Sequence, residues 1–172
     1  MGVMDILQHY TNPGADPQAA PAHFDEVVRN APADAVGSGV AEAFRSDQTP
    51  AFGQMVSRMF GQSSPQQRAG VLNHLLPAVG PGVLAGLGGG ALARLLGQRA
   101  GNASAQVTPE IAAQVAPEQV EQLATEAHQR DPGVVDKLGG FYSAHPDLVK
   151  TLGGAALTVA LASIAGRMRS GR

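Results

Sequence analysis

The chain contains no cysteine, and this absence excludes disulfide bonds and metal sites built on thiolates. Tryptophan is also absent, and aromatic residues make up only 4% of the 172 residues. Because protein interiors are close-packed, alanine, glycine, leucine and valine must fill most of the core. We therefore expect helices that approach each other closely through small side chains.

Sustained alternation of β-branched residues is missing as well, whereas signals for helix starts are frequent. Four pairs place an oxygen-bearing side chain directly before proline: Thr49-Pro50, Ser64-Pro65, Thr108-Pro109 and Asp131-Pro132. In such a pair the oxygen can cap the helix, and proline fits the first helical position. Gln67 completes a capping box with Ser64. The predicted fold class is all-α, a multihelical globular domain with a buried central C-terminal helix.

The predicted organisation is an N-terminal segment, residues 1–21, followed by a helical domain over residues 22–169. The N-terminal segment contains a short helix near Val3–Tyr10 and a linker rich in Pro, Ala and Gly. Further helices are predicted at about 22–30, 33–45, 50–60, 65–76, 131–144 and 146–169, and two short helices are predicted to start at Thr108-Pro109 and at Ala116-Pro117.

Phenylalanine side chains recur along the first third of the helical domain. We predict that Phe44, Phe52 and Phe60 form the aromatic part of the core, because the apolar residues of the helix over 50–60 repeat at helical spacing. Such a face usually packs inside the protein. The alternative is a small-ligand carrier whose pocket would also include Met55.

The last predicted helix carries no charged residue between Thr151 and Gly166. A helical wheel gives one apolar stripe with Leu157, Leu161 and Ile164. A second stripe lies opposite: Leu148, Leu152, Ala155 and Val159. A lane of small residues between the stripes is a candidate packing or association surface: Gly154, Thr158 and Ala162. A helix that is apolar on two opposite sides is buried or lies in lipid.

The length of this uncharged run favours burial over a membrane span. Sixteen helical residues extend about 24 Å, which is shorter than the roughly 30 Å of hydrocarbon in a bilayer. Several of them are glycine, alanine or hydroxylated residues, which weakens insertion further. A buried central helix is the preferred interpretation.

A second segment, Ala69–Ala93, also lacks formal charge. Within it Gly82, Gly86 and Gly90 lie four residues apart, a pattern that exposes bare backbone along one helix face. We predict that this zipper face packs on the lane of small residues in the last helix. The alternative for the glycine-rich segment 80–105 is an internal hinge.

Charges of the two signs are concentrated in successive blocks. The formal charge is −5 over residues 1–47, +4 over 48–105, −5 over 106–147 and +4 over 148–172. Alternating blocks favour the folding of one segment onto another, or head-to-tail self-association. Ordinary solvated faces are the simpler alternative.

Sequence patterns that carry catalysis or bind cofactors are missing. The chain has no phosphate-binding GxxxxGK[ST] motif, and no pair of its histidines has a spacing that would place two metal ligands on one helix face. The basic cluster Arg167, Arg169 and Arg172 is too small for specific nucleic-acid recognition. We therefore predict no catalytic, cofactor-binding or metal-binding residues, no cofactor and no enzymatic activity, and no small-molecule substrate is identifiable.

The first ten residues do not resemble a secretory signal. They lack a basic beginning, and Asp5 interrupts their only apolar stretch. A cytoplasmic location is expected. The excess of alanine, glycine and arginine over lysine is typical of GC-rich bacterial genomes.

Several short stretches carry a resemblance to a known family. They are Met1-Gly2-Val3-Met4-Asp5, the segment AFRSDQTPAFGQM from Ala43 to Met55, Phe60-Gly61-Gln62 and Ser64-Pro65-Gln66-Gln67-Arg68. Through them the chain resembles the YidB-like family of uncharacterised bacterial proteins, over residues 1–10 and 40–125. The resemblance implies an all-helical fold with a buried central helix and no established activity. The predicted helix His145–Arg169 takes the place of the short tail expected of that family.

These observations favour a non-enzymatic helical interaction or structural protein that associates with itself or with an unknown protein. Self-association would use the charge blocks or the zipper face. The alternative is a conditionally membrane-associated protein that inserts residues 75–93 and 151–166 as a helical hairpin.

Overall fold

The computed structural model describes residues 2–79 and 106–171, and within these ranges the chain is helical without any strand. The predicted all-α class is confirmed. Ten α-helices lie in the described residues: α1 (Val3–Tyr10), α2 (Ala20–Asn30), α3 (Ala33–Arg45), α4 (Phe52–Gln62), α5 (Pro65–Leu75), α6 (Pro109–Ala112), α7 (Pro117–Arg130), α8 (Val134–Ser143), α9 (Pro146–Lys150) and α10 (Gly154–Ser170). A 3₁₀ turn, Leu76–Ala78, follows α5 directly.

The chain divides into two compact units. Unit 1 combines Met1–Ala51 with Val135–Arg172, and unit 2 consists of Phe52–Val134. The predicted boundary at residue 21 is therefore not a boundary in the structure. Helix α1 contacts α2 and α10 and buries Ile6 and Leu7, so it belongs to the core of unit 1.

Helix α10 occupies the centre of unit 1, where it contacts α1, α2, α3 and α9. Its closest approach to α3 is made possible by Gly39. A Cβ atom at Gly39 would collide with the side chain of Ile164 and with the carbonyl oxygen of Ala160. The bare backbone of glycine thus brings the two helices together, as expected for a core poor in bulky side chains.

Unit 2 is built in the same manner around α4 and α7. Gly53 in α4 lies against the carbonyl oxygen of Glu121 and the hydroxyl of Thr125, again without room for a Cβ atom. In the same unit, the side-chain oxygen of Asn73 accepts a 2.8 Å hydrogen bond from the backbone N–H of Val107. This bond holds the backbone at Val107, just before α6, against α5.

Two of the four predicted helix starts use the expected capping chemistry. The hydroxyl of Ser64 accepts from the N–H of Gln67 at 3.3 Å, and the Gln67 side chain accepts from the N–H of Ser64 at 2.9 Å. The hydroxyl of Thr108 accepts from the N–H of Ile111 at 3.4 Å. Both pairs begin their helices at the following proline.

The other two predicted starts are wrong in detail. The Thr49 hydroxyl donates to the carbonyl oxygens of Ala43 at 2.5 Å and Ser46 at 2.9 Å, so it closes the end of α3 instead of opening α4. Asp131 accepts from the N–H of Gly133 at 3.0 Å in a turn that precedes α8. A hydroxyl or carboxylate before proline serves either role, and the sequence does not distinguish them.

The prediction of one continuous helix over 146–169 is also wrong. The chain forms the short helix α9, turns, and starts α10 after Gly153, whose φ is +91°. This left-handed conformation suits glycine because it has no Cβ atom. The break takes Leu148 and Leu152 out of the helical register in which they were aligned with Ala155 and Val159.

Candidate association surface

One side of α10 is open to solvent. Ala155 and Gly166 are exposed, and Val159 and Ala162 are half-buried. Their successive spacings of four, three and four residues place them on one helix face, which we call the open flank. The opposite side is buried: Ala156, Leu157, Ala160, Leu161, Ile164 and Ala165. The expectation that both apolar sides are covered is therefore wrong for the open flank.

The three candidate packing residues of α10 have different roles. Gly154 lies directly against the backbone of Pro17, so the chain before α2 crosses the start of α10. The Thr158 hydroxyl donates to the carbonyl oxygen of Gly154 at 2.8 Å, within the helix. Ala162 belongs to the open flank. The predicted zipper partners Gly82, Gly86 and Gly90 lie outside the described residues, and their packing on this lane stays a prediction.

An exposed carboxylate belongs to the residue before Pro17, whose backbone contacts the N-terminal end of α10. Asp16 precedes Pro17 and is exposed, and its carboxylate accepts a 2.9 Å hydrogen bond from the N–H of Gln18. In the same region the hydroxyl of Tyr10 lies 2.8 Å from Nδ1 of His23 and links α1 to α2. Burial, followed by the nearby charge of Asp16, raises the pKa of Tyr10.

The C-terminal end of α10 is cationic. Arg169 is exposed, and the guanidinium of Arg167 lies 3.8 Å from a carboxylate oxygen of Glu42 in α3. Glu42 also lies 3.7 Å from Arg45. The guanidinium of Arg45 forms a bidentate hydrogen bond with the carboxylate of Asp136, at 2.7 and 3.0 Å. The hydrogen bond with Arg45 lowers the pKa of Asp136 and raises that of Arg45.

A second ion pair connects the first and last charge blocks. Nζ of Lys150 in α9 lies 3.0 Å from Asp25 in α2 and 3.0 Å from Asp147. These hydrogen bonds, with Asp25 first, raise the pKa of Lys150. Together with the Arg167–Glu42 contact, this pair shows that the opposite charges of blocks 1–47 and 148–172 meet inside unit 1. Part of the block pattern therefore serves intramolecular folding.

The three predicted aromatic core residues are all buried, but they do not belong to one unit. Phe44 in unit 1 packs edge-to-face on Tyr142 with 5.9 Å between ring centres. In unit 2, Phe52 packs on His128 at 5.3 Å, and Phe60 faces the guanidinium of Arg68 at 5.0 Å. The side chains thus fill two separate cores.

Unit 1 also contains a shallow cleft of about 330 Å³ lined by residues of α3 and α8: Ala33, Asp34, Gly37, Ser38, Asp136, Gly140 and Ser143. Asp136 is held by Arg45, and the Ser143 hydroxyl donates to the carbonyl oxygen of Gly140 at 2.7 Å. The hydrogen bonds of Asp136 and Ser143 therefore stabilise the fold. Among these lining residues, no nucleophile is hydrogen-bonded to a base.

The part of the chain that the structure describes contains neither a cluster of metal ligands nor a membrane-spanning helix. There, no group of three or more histidine, aspartate or glutamate side chains is arranged to hold a metal ion. None of the described helices combines the length and the apolar character needed to cross a membrane.

Comparisons with family models, curated proteins and solved structures gave no match to this chain. The YidB-like resemblance therefore stays a prediction.

Proposed function

We propose that this chain is a non-enzymatic helical protein that associates with itself through the open flank of α10. The observation that supports the proposal is the position of Ala155, Val159, Ala162 and Gly166. They lie on the central helix of unit 1, within a run that has no charge from Thr151 to Gly166, and yet their side of the helix is open to solvent.

The chemistry of the open flank suits a helix–helix contact. Removing apolar surface from water yields about 25 cal/mol per Å². Alanine and glycine lose almost no side-chain entropy when they are covered, and their size allows two backbones to approach closely. The flank contains no charged side chain. Its burial therefore avoids the desolvation of charged groups, which is the main cost of burying an ionic surface.

The test compares two substitutions of exposed alanine. Ala155→Arg places a charge at the N-terminal end of the open flank, whereas Ala144→Arg introduces the same side chain in the loop between α8 and α9. Sedimentation velocity over a wide concentration range should show self-association of the original protein and of Ala144→Arg. Ala155→Arg should remain monomeric with an unchanged circular dichroism spectrum.

Two results would contradict the proposal. The first is an original protein that stays monomeric at every concentration, which would leave an unknown protein as the partner. The second is equal association of all three proteins, which would place the contact elsewhere.

Membrane association is the rival explanation of an uncharged flank, and it is tested separately. In the structure, α10 starts at Gly154 and buries Leu157, Leu161 and Ile164 in unit 1. Of the predicted hairpin, residues 80–93 lie outside the described residues. Flotation with vesicles of mixed neutral and anionic lipid decides between the two explanations, since a self-associating protein remains at the bottom of the gradient.

A further inference from the structure

We propose that two copies pair α10 against α10 in antiparallel orientation, about a two-fold axis that lies between the two helices at the height of the bond from residue 160 to residue 161. This inference rests on the proposed self-association and specifies its geometry. The partner is a second copy of this chain. Three observations support it: the spacing of the flank residues, the charges at the two ends of α10, and the bare backbone at Gly166.

The open flank is complementary to itself only in one orientation. In an antiparallel pair centred between residues 160 and 161, Ala155 faces Gly166 of the second copy, and Val159 faces Ala162. The only branched side chain of the flank thus meets a small one. In a parallel pair, Val159 would face its own copy and hold the helices apart. A closed two-fold dimer requires this self-complementarity.

The charges at the two ends of α10 favour the same orientation. Arg169 is exposed at the C-terminal end, whereas Asp16 is exposed beside Pro17, which contacts Gly154 at the N-terminal end. Antiparallel pairing brings Arg169 of each copy towards Asp16 of the other. Parallel pairing would bring like charges together at both ends. The dipoles of the two α10 helices also interact favourably when the helices are antiparallel, which further favours this orientation.

Asp16 and Arg169 do not satisfy each other within one copy. A helix of 17 residues is about 25 Å long, so the two ends lie well beyond ion-pair distance. Asp16 and Arg169 can therefore form an ion pair with each other only between two molecules. At Gly166 a Cβ atom would meet nothing within 4 Å, so this bare backbone is not needed for packing inside the chain.

The contact is small, and this determines how it should be studied. One helix face buries less than the roughly 800 Å² per partner of a standard interface, so we expect a weak and reversible dimer. Because part of the attraction comes from exposed charges, the dimer should weaken as salt rises from 0.05 to 0.5 M.

The absence of cysteine allows a direct test of orientation. Single-cysteine variants Ala155→Cys and Gly166→Cys are oxidised mildly, each alone and as an equimolar mixture. In the antiparallel dimer, residue 155 lies roughly 16 Å along the axis from residue 155 of the other copy but next to residue 166, so only the mixture should form a disulfide dimer. Gln129→Cys, exposed on α7, is the control for random collisions.

The outcomes separate the geometry from the function. If Ala155→Cys or Gly166→Cys cross-links efficiently with itself, the pairing is parallel and the antiparallel geometry is overturned, while self-association stands. If the protein sediments as a dimer and no combination exceeds the Gln129→Cys control, the open flank is not the interface. A monomer at all concentrations overturns the proposed function itself.

A charge exchange tests the ends independently. Asp16→Arg and Arg169→Asp each place like charges at both ends of the dimer, and each should raise the dissociation constant about three- to tenfold, the range expected for a pair of exposed ionic contacts. The double variant restores opposite charges and should return to within about twofold of the original value. A double variant as weak as the single variants would exclude the Asp16–Arg169 contact.

Discussion

Gly39 of α3 lies directly against the carbonyl oxygen of Ala160 in α10, and no Cβ atom fits between them. The side chain of Ile164 also occupies the space that this Cβ atom would need. The two helices that join the first and last parts of unit 1 are therefore held at a separation that only glycine permits.

Gly39→Ala is expected to destabilise the protein by about 1–3 kcal/mol, because the added methyl group meets backbone as well as a side chain. The matched control is Gly140→Ala in the interior of α8, where a Cβ atom meets nothing within 4 Å. There the higher helix propensity of alanine should raise stability by up to about 1 kcal/mol. Urea unfolding followed by circular dichroism measures both, and equal midpoints would contradict the predicted clash.

Gly153→Ala tests the break between α9 and α10. Nothing lies within 4 Å of the position of its Cβ atom, so the only penalty comes from the φ of +91°. With ψ at 168° this backbone conformation is adopted almost only by glycine, so an L-residue there should cost about 1–3 kcal/mol. The melting temperature should fall relative to Gly140→Ala, which adds the same methyl group without a positive φ. A melting temperature equal to that of Gly140→Ala would indicate one continuous helix.

Tyr142→Phe and Tyr10→Phe remove the same hydroxyl group with opposite expected effects. The Tyr142 hydroxyl is buried without a hydrogen-bond partner among the described residues, and burial strongly raises its pKa. Its removal should stabilise the protein by about 1 kcal/mol, since an unsatisfied buried polar group is destabilising. Tyr10→Phe loses the bond to His23 and should cost about 1 kcal/mol.

Thermal unfolding of the two variants at one pH gives the comparison. If Tyr142→Phe lowers the melting temperature as much as Tyr10→Phe does, the Tyr142 hydroxyl has a partner and the proposed difference is wrong.

The ion pair of Asp136 with Arg45 predicts a dependence of stability on pH. The hydrogen bond from Arg45 lowers the pKa of Asp136 below its ordinary value of 3.8. The pair therefore stabilises the folded state above that value, and this contribution is lost as the pH falls through the lowered pKa. Because the side chains of Arg45 and Asp136 are 33% and 60% exposed, solvent screens the pair and the effect should stay below about 1 kcal/mol.

Asp136→Asn provides the measurement for this pair. The difference in unfolding free energy between the original protein and the variant should be present at pH 6, shrink towards pH 2, and fall in 0.5 M salt. A difference that is constant over this pH range would mean that Asp136 acts through packing or neutral hydrogen bonds.

Local chemistry explains which features the sequence predicts. The starts of α5 and α6 follow from Ser64 and Thr108, because capping involves residues only three positions apart. The break at Gly153 could not be distinguished from a continued helix, since Gly153-Gly154 also fits a lane of small residues. The side of α10 that is covered depends on α3, more than a hundred residues earlier in the chain, and the role of Gly39 appears only once that pairing is known.

The open flank could have been recognised in part. The spacing of Ala155, Val159, Ala162 and Gly166 is visible in the sequence, but the same wheel aligned Leu148 and Leu152 with it and so predicted burial. The position of Asp16 near the start of α10 could not be predicted from the sequence, because it results from the contact of Pro17 with Gly154.

Unit 2 is inserted between the two halves of unit 1, and this has a consequence during synthesis. Helices α1 to α3 leave the ribosome before α10 exists, and translation at roughly 5–20 residues per second takes several seconds to produce all of unit 2. Throughout that interval the Gly39 face of α3 has no helix of its own chain to cover it. The core of unit 1 can therefore be completed only after the whole of unit 2 has been synthesised.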